Sequence, residues 1–361
     1  MIRSCQIFLG HITTPHHNKK PSSDFLTGTR NNILPGICPV VFRCTMNLVL
    51  LTALILACGQ GATAQSPADQ SCCSGITRQA LGEPNAGSLE RESYPGNNIP
   101  DGMVLVPGGE ATIGSESGLP TERPVFTTHV PSFYMDRYLV TVGQFREFVN
   151  ETGYVTFSEK IGDGIVFDHA QGRWVIEPGV YWEYPLGKDY GKVPDDHPVT
   201  LLTYDDAVAY LEWAGKRLPT EVEWEHAARG IANRDHPYAW GDKLVVDGKY
   251  QANTWTGHFP RQNLGEDGYI LTSPVGKFGE TELGLTDMGG NVWEWTSDWF
   301  RSYRERDTPY EPGEHSEKVI RGGSFMCHAS YCHGYRVSAR SHTPPDNNMF
   351  HIGFRGVKDI E

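Results

Sequence analysis

Arg321-Gly322-Gly323-Ser324-Phe325-Met326-Cys327-His328-Ala329-Ser330-Tyr331-Cys332-His333 is the stretch on which the reading of this chain turns. It holds two cysteines with four residues between them, and geometry limits what they can do together. A fully extended run of five residues spans roughly 17 Å, too far for two sulfurs to share a bond or an ion. On a helix the two would point about 140° apart, since each residue turns about 100°. On a strand an odd separation sends them to opposite faces. Cooperation between Cys327 and Cys332 therefore requires a loop or bulge, and His328-Ala329-Ser330 is where one fits. Four readings of the pair stay open on spacing alone: a structural disulfide, a zinc site, a stretched haem-attachment motif, or a bis-thiolate site for a soft ion such as Cu(I). Zinc wants four well-placed ligands, and His328 and His333 each sit beside a cysteine, an awkward arrangement around one tetrahedral ion.

The other six cysteines, at 5, 38, 44, 58, 72 and 73, all lie in the first 73 of 361 residues. Residues 74–326 contain none, so this is not a disulfide-stapled scaffold and its core must be held by packing. The composition is globular, with 39% apolar and 11% aromatic residues. Forty glycines and 24 prolines point to many turns and short elements. A formal charge of -13 argues against nucleic acid as a partner.

Outward toward the N-terminus, Met46-Asn47-Leu48-Val49-Leu50-Leu51-Thr52-Ala53-Leu54-Ile55-Leu56-Ala57 is too short to cross a bilayer, which takes about 20 residues. It suits the apolar region of a signal peptide, with Ala62-Thr63-Ala64 as the cleavage site and Arg30 and Arg43 as the positive flank. Residues 1–64 are accordingly read as a targeting segment, with Met46 as a second candidate start. Ile55-Leu56-Ala57-Cys58 also has the form of a lipoprotein box, in which Cys58 would carry a lipid anchor. Both readings predict export to a periplasm, a secretory lumen or the outside, with no transmembrane segment. Residues 65–100 are rich in Ser, Gly, Pro and Asn without an apolar period and read as a flexible linker. The folded domain then covers 101–361.

Within it, Met103-Val104-Leu105-Val106 and Ala111-Thr112-Ile113-Gly114 read as strands about a Pro107-Gly108-Gly109 turn, and 133–140 as another strand. Three helices announce themselves by a threonine cap with a Gln or acid three residues on. Thr141 and Gln144 open 142–150, with Gly153 just past the end; Thr203 and Asp206 open the next; Thr220 and Glu223 open one that runs to Ala228 and stops at Gly230. Beyond it, short strands and aromatic-rich loops are expected.

With these pieces in place the chain from about 100 to 360 resembles the formylglycine-generating enzymes, the sulfatase-modifying factors. The resemblance rests on Trp213-Ala214-Gly215-Lys216-Arg217-Leu218-Pro219-Thr220-Glu221, on Gly290-Asn291-Val292-Trp293-Glu294-Trp295, on Gly353-Phe354-Arg355 and, most narrowly, on Met326-Cys327-His328 with Ser330-Tyr331-Cys332. It implies an α+β single domain with a modified C-type-lectin-like fold. It implies an oxidase that uses O2 to turn the cysteine of a Cys-x-Pro-x-Arg segment in a sulfatase into Cα-formylglycine, through loss of a Cβ hydrogen and hydrolysis of the thioaldehyde. By resemblance, Cys327 and Cys332 hold Cu(I), Ser324 and Trp293 line the pocket, and Arg340 stands near it, with an ion-pair role for Arg340 equally open. Two structural Ca²⁺ sites are implied as well. One is formed by Asn253, Thr254, Asp267 and Tyr269, the other by Asp287, Gly290, Val292 and Glu294, with Thr254, Tyr269, Gly290 and Val292 giving carbonyls.

The chain also departs from that pattern. Leu211, Ala228, Val337 and Gly356 stand where vertebrate members carry structural cysteines; Asp287 replaces an Asn ligand; and His351 replaces an Asn beside the pocket, with bulky Phe350 next to it. Two other classes stay in view. One is a lectin-like scaffold that kept the fold without turnover, which has no need of two sulfurs in one loop. The other is an iron-dependent sulfoxide-type oxidase, which would carry an added helical domain with a histidine cluster that this sequence lacks. A monomer acting on extended sulfatase polypeptides is expected.

Overall fold

The structure is a computed structural model that describes residues 99–360. The expected leader with its lipid-anchor cysteine Cys58, and all but the last two residues of the expected linker, lie outside the described residues. Among the described residues no helix is long and apolar enough to cross a membrane.

The three expected helices are present and start where their caps put them. In α1, Val142–Thr152, the Thr141 hydroxyl accepts the Gln144 amide and the Gln144 side chain accepts the Thr141 amide, so two otherwise orphaned donors are satisfied reciprocally. Gly153 ends the helix in the left-handed region at φ 67°. The next helix, α2, Phe157–Ile161, was not anticipated. Thr156 and Glu159 form the same box, but five residues are too few to show an apolar period. Thr203 opens α3, Tyr204–Trp213, and Thr220 opens α4, Glu221–Arg229.

The strands are short and belong to several small sheets. Met103–Val106 and Val357–Asp359 both pair antiparallel with Phe133–Asp136, so the first and last strands of the domain flank one central strand. Gly109–Ile113 pairs with Phe126–Val130, and Asp163–Asp168 with Arg173–Pro178. The four-stranded sheet runs in the order Arg340–Thr343, Lys318–Arg321, Trp293–Trp299, Ile352–Gly353, the last pair parallel. The strand expected over 133–140 ends at Asp136. Val140 is buried farther on, but its amide goes to Phe354 and its carbonyl to Val199, two separate segments that form no ladder.

Packing replaces the missing cystines. A Cβ on Gly356 would lie 2.6 Å from Leu211 Cδ2, and Ala228 and Val337 share one apolar cluster with the fully buried Trp224. The core also contains charge. Arg321, fully buried, pairs with Glu221 and Glu225, and Arg229 pairs with Glu225. Such pairs persist only because hydrogen bonds offset their desolvation. They tie α4 to the four-stranded sheet that carries the cysteine segment. The result is one α+β domain of short elements and much irregular chain, in the class the sequence implied.

Candidate active site

The cysteine segment leaves its sheet at Arg321 through Gly322 and Gly323, both left-handed at φ 86° and 72°. A Cβ on Gly323 would lie 2.6 Å from the Tyr335 amide nitrogen, so close backbone approach as well as conformation demands glycine. Backbone bonds then fix the segment to its neighbours. Gly290 donates to the Gly322 carbonyl, Phe325 to that of Asn291, Asn291 to that of Asn253, and Trp255 to that of Cys327.

The chain curls at His328, whose carbonyl accepts the amides of Tyr331, Cys332 and His333. This is the loop that the spacing required. It brings the two Cα atoms to 5.5 Å, and the sulfurs are joined as a disulfide. The two ends differ in environment: Cys327 is buried and Cys332 is half-buried. The Ser324 amide donates to Cys327 Sγ at 3.4 Å, and Ser324 Oγ accepts the Met326 amide at 3.2 Å. Trp293 lies against the same loop, since a Cβ on Gly334 would come within 2.4 Å of its indole. The fold therefore gathers Cys327, Cys332, Ser324 and Trp293.

Arg340 is placed differently. Its Nε and Nη2 grip both oxygens of Glu221 at 2.7 and 2.6 Å, and Nη1 donates to the Thr121 and Arg301 carbonyls. Its guanidinium lies 4.0 Å from the Tyr303 ring centroid. The ion-pair role left open for Arg340 is the one its contacts describe, and no contact joins it to the cysteine loop.

Several neighbours of the pocket went unnoticed in the sequence. Tyr331 stacks on Phe259 at 4.0 Å, and Trp174, from the Arg173–Pro178 strand, lies 4.7 Å from the His351 ring. Nothing but their aromatic character marked Phe259 and Trp174. His351, flagged for its departure from the family, sits on the site itself. Its Nδ1 is 3.2 Å from Ser324 Oγ, and burial pushes its pKa down to about 3. A cavity of about 260 Å³ opens behind Phe325 and Phe350, but none of the expected catalytic residues lines it.

The donor sets can be tested for fit. Two thiolates with Cα atoms 5.5 Å apart can converge on one soft ion once the disulfide is reduced. His328 is taken up by Ser330, and His333 packs edge-on against Tyr335. Among the described residues no three His, Cys, Asp or Glu side chains are grouped to hold a metal, so a four-ligand zinc site has no donors here. Sites built from carbonyls and amides are of another kind. Asn253 Oδ1 is buried without a partner, while Asp267 accepts the Thr254 and Tyr269 amides, which draws the first calcium quartet together. Asp287 Oδ1 is likewise buried without a partner, and burial pushes that carboxyl up to about 6. Both orphaned oxygens suit a cation. Glu294 carries more than the sequence suggested: its two oxygens are gripped by Arg355, and one of them also accepts the Trp224 indole N–H.

Fold and site together define an α+β domain that presents a cysteine pair in a glycine-set loop. Residues 91–360 match the family described as the sulfatase-modifying factor enzyme 1-like domain, and the chain belongs to that family. It is 38% identical over 355 residues to the formylglycine-generating enzyme of Bos taurus, covering 87% of this chain and 94% of that one. It is also 35% identical over 281 residues to the inactive C-alpha-formylglycine-generating enzyme 2 of Bos taurus, covering 72% of this chain and 89% of that one. Among solved structures, PvdO from Pseudomonas aeruginosa aligns with a TM-score of 0.54 at 25% identity, over 72% of this chain and 94% of that one.

Proposed function

We propose that this protein is an exported oxidase that converts the cysteine of a Cys-x-Pro-x-Arg segment in sulfatases to Cα-formylglycine with O2. The observation that carries the reading is the cysteine pair itself, one sulfur buried against the Ser324 amide and the other half-exposed where a polypeptide can reach it. A relative named as a formylglycine-generating enzyme matches along nearly its whole length.

The pair is joined as a disulfide in the structure, and its reduction would free two thiolates to hold Cu(I). When bound, the copper supplies a soft centre for a third thiol and for electron transfer to O2. The remaining work falls to the chain. Ser324 and Trp293 border the sulfur of the incoming cysteine, and Cys327, at 1% exposed, is kept from bulk water. Asn253, Thr254, Asp267 and Tyr269, and Asp287, Gly290, Val292 and Glu294, would hold Ca²⁺ in the loops behind the pocket. Electron balance adds one requirement. Cysteine and O2 give the aldehyde, hydrogen sulfide and water only with two further electrons and two protons, so a thiol reductant takes part in each turnover. The acidic composition fits a polypeptide client and not nucleic acid.

The test is to incubate reduced protein with Cu(I), O2, a thiol and a Cys-x-Pro-x-Arg peptide, and to detect aldehyde by hydrazide capture and mass spectrometry. Full turnover by Cys327→Ser or Cys332→Ser would overturn the assignment. The inactive relative gives weight to a second reading, a binding protein of the same fold. Peptide binding without aldehyde in the wild type would establish that one.

A further inference from the structure

The most informative group that this scheme leaves unused is His351. It is 8% exposed, its backbone carbonyl accepts the Trp293 amide, and its ring is held between Trp174 at 4.7 Å and Phe350 at 6.0 Å. Its one side-chain hydrogen bond joins Nδ1 to Ser324 Oγ at 3.2 Å. No carboxylate faces it, and burial alone holds its pKa near 3, so it is neutral at any working pH. A neutral imidazole without a counter-charge is a poor place to leave a proton, which removes general base from its roles.

The hydrogen-bond inventory fixes the direction of this contact. Ser324 is fully buried, and its Oγ already accepts the Met326 amide. If Nδ1 were protonated it would donate to the same oxygen, and the buried Ser324 proton would lack an acceptor. If Nδ1 is bare, it accepts the Ser324 O–H, and the Met326 amide, the serine proton and Nδ1 are all satisfied. One lone pair of Oγ then remains, on a residue whose amide touches Cys327 Sγ.

We propose that His351 is a positioning residue: its bare Nδ1 holds the Ser324 hydroxyl so that Oγ presents a lone pair, as an acceptor, beside the Cys327 sulfur. The partner chemistry this suits is an incoming thiol or amide N–H of the substrate segment, which donates to Oγ. The inference rests on the proposed oxidation of a peptide cysteine for its effect on rate, but the hydrogen bond itself can be observed without turnover.

Two measurements on the full, reduced chain test it. By ¹⁵N NMR, Nδ1 of His351 should show the shift of an unprotonated, hydrogen-bonded nitrogen, and Ser324→Ala should move it. A protonated Nδ1, or no response to Ser324→Ala, refutes the proposal whether or not the protein is active. In the peptide assay, His351→Leu should lower kcat by about 10- to 100-fold with KM and Cu(I) affinity changed less than about threefold. His351→Asn, which returns an acceptor in its amide oxygen, should recover most of that loss. In a Ser324→Ala background, His351→Leu should add little. Additive effects of the two substitutions, or equal losses in the Leu and Asn variants, would also overturn it. If the wild type makes no aldehyde while the NMR result stands, the functional reading fails and the hydrogen bond survives.

Discussion

Arg340→Met separates a structural role from a chemical one at a residue where the sequence left both open. In the folded protein Arg340 and Glu221 are buried together, joined by two charge-assisted bonds at 2.7 and 2.6 Å. Methionine keeps much of the volume over Tyr303 but removes the guanidinium. Glu221 then retains Arg321 at 3.3 Å and the Tyr303 hydroxyl at 3.2 Å, and the Thr121 and Arg301 carbonyls lose a donor. Breaking a buried pair by removing one partner costs about 3–5 kcal/mol. The surviving arginine on Glu221 puts this case near the lower figure, about 3 kcal/mol. For a domain of this size 1 kcal/mol corresponds to about 2–4 °C, so Tm should fall by about 6–12 °C. Calorimetry gives the shift, and the peptide assay at 25 °C, normalised to folded protein, gives kcat, which should stay within about threefold of wild type. A Tm within 2 °C of wild type together with a tenfold loss of kcat would refute the reasoning and return Arg340 to the chemistry.

Three further outcomes follow from particular contacts. In Ca²⁺-free protein, Asp287 titrates at about 6 when folded and near 3.8 when unfolded, so the folded state binds this proton more tightly. Its stabilising contribution is full below 3.8 and is lost as pH rises through 6, a change on the order of 3 kcal/mol. Asp287→Asn should abolish that decline, as read by Tm between pH 4 and pH 8 in a chelator, and an equal decline in the variant would count against it. Gly323→Ala forces a Cβ to 2.6 Å from the Tyr335 amide nitrogen, so the loop must shift and the two thiols should no longer bind Cu(I) together; unchanged binding of one ion per chain would show that the loop tolerates it. Thr156→Ala removes the reciprocal cap of α2 and should cost about 1 kcal/mol, seen as a lower urea midpoint at constant m value; an unmoved midpoint would show that packing alone holds that turn.

What could be read in advance was whatever the chain encodes locally. A threonine and its partner three residues on lie within one turn, so the caps of α1, α3 and α4 were visible. The same signal at Thr156 lacked a following period and passed unseen. The need for a loop between Cys327 and Cys332 was also local, because five residues admit few geometries. The rest depends on distant partners. Glu221 meets Arg340 119 positions away, and Glu294 meets Arg355 61 positions away, so neither acid's role could be read from its neighbours. The strand expected over 133–140 holds only as far as Asp136 for a similar reason: Leu139 and Val140 state that they will be buried, and leave open which segments receive their amides.

The parallel pairing of Ile352-Gly353 with Trp293-Glu294 has a consequence for the order in which the molecule is made. As the polypeptide is synthesised, the cysteine segment emerges before His351 and before the strand that sets it against Trp293. Contacts between distant parts of a chain close late, since loop entropy must be overcome first. The Asn253, Asn291 and Gly322 backbone bonds belong to that late group. The two sulfurs, five positions apart, can meet much earlier. Oxidation of the pair can therefore precede the architecture that gives it meaning, and no fragment ending before Ile352 contains the finished centre.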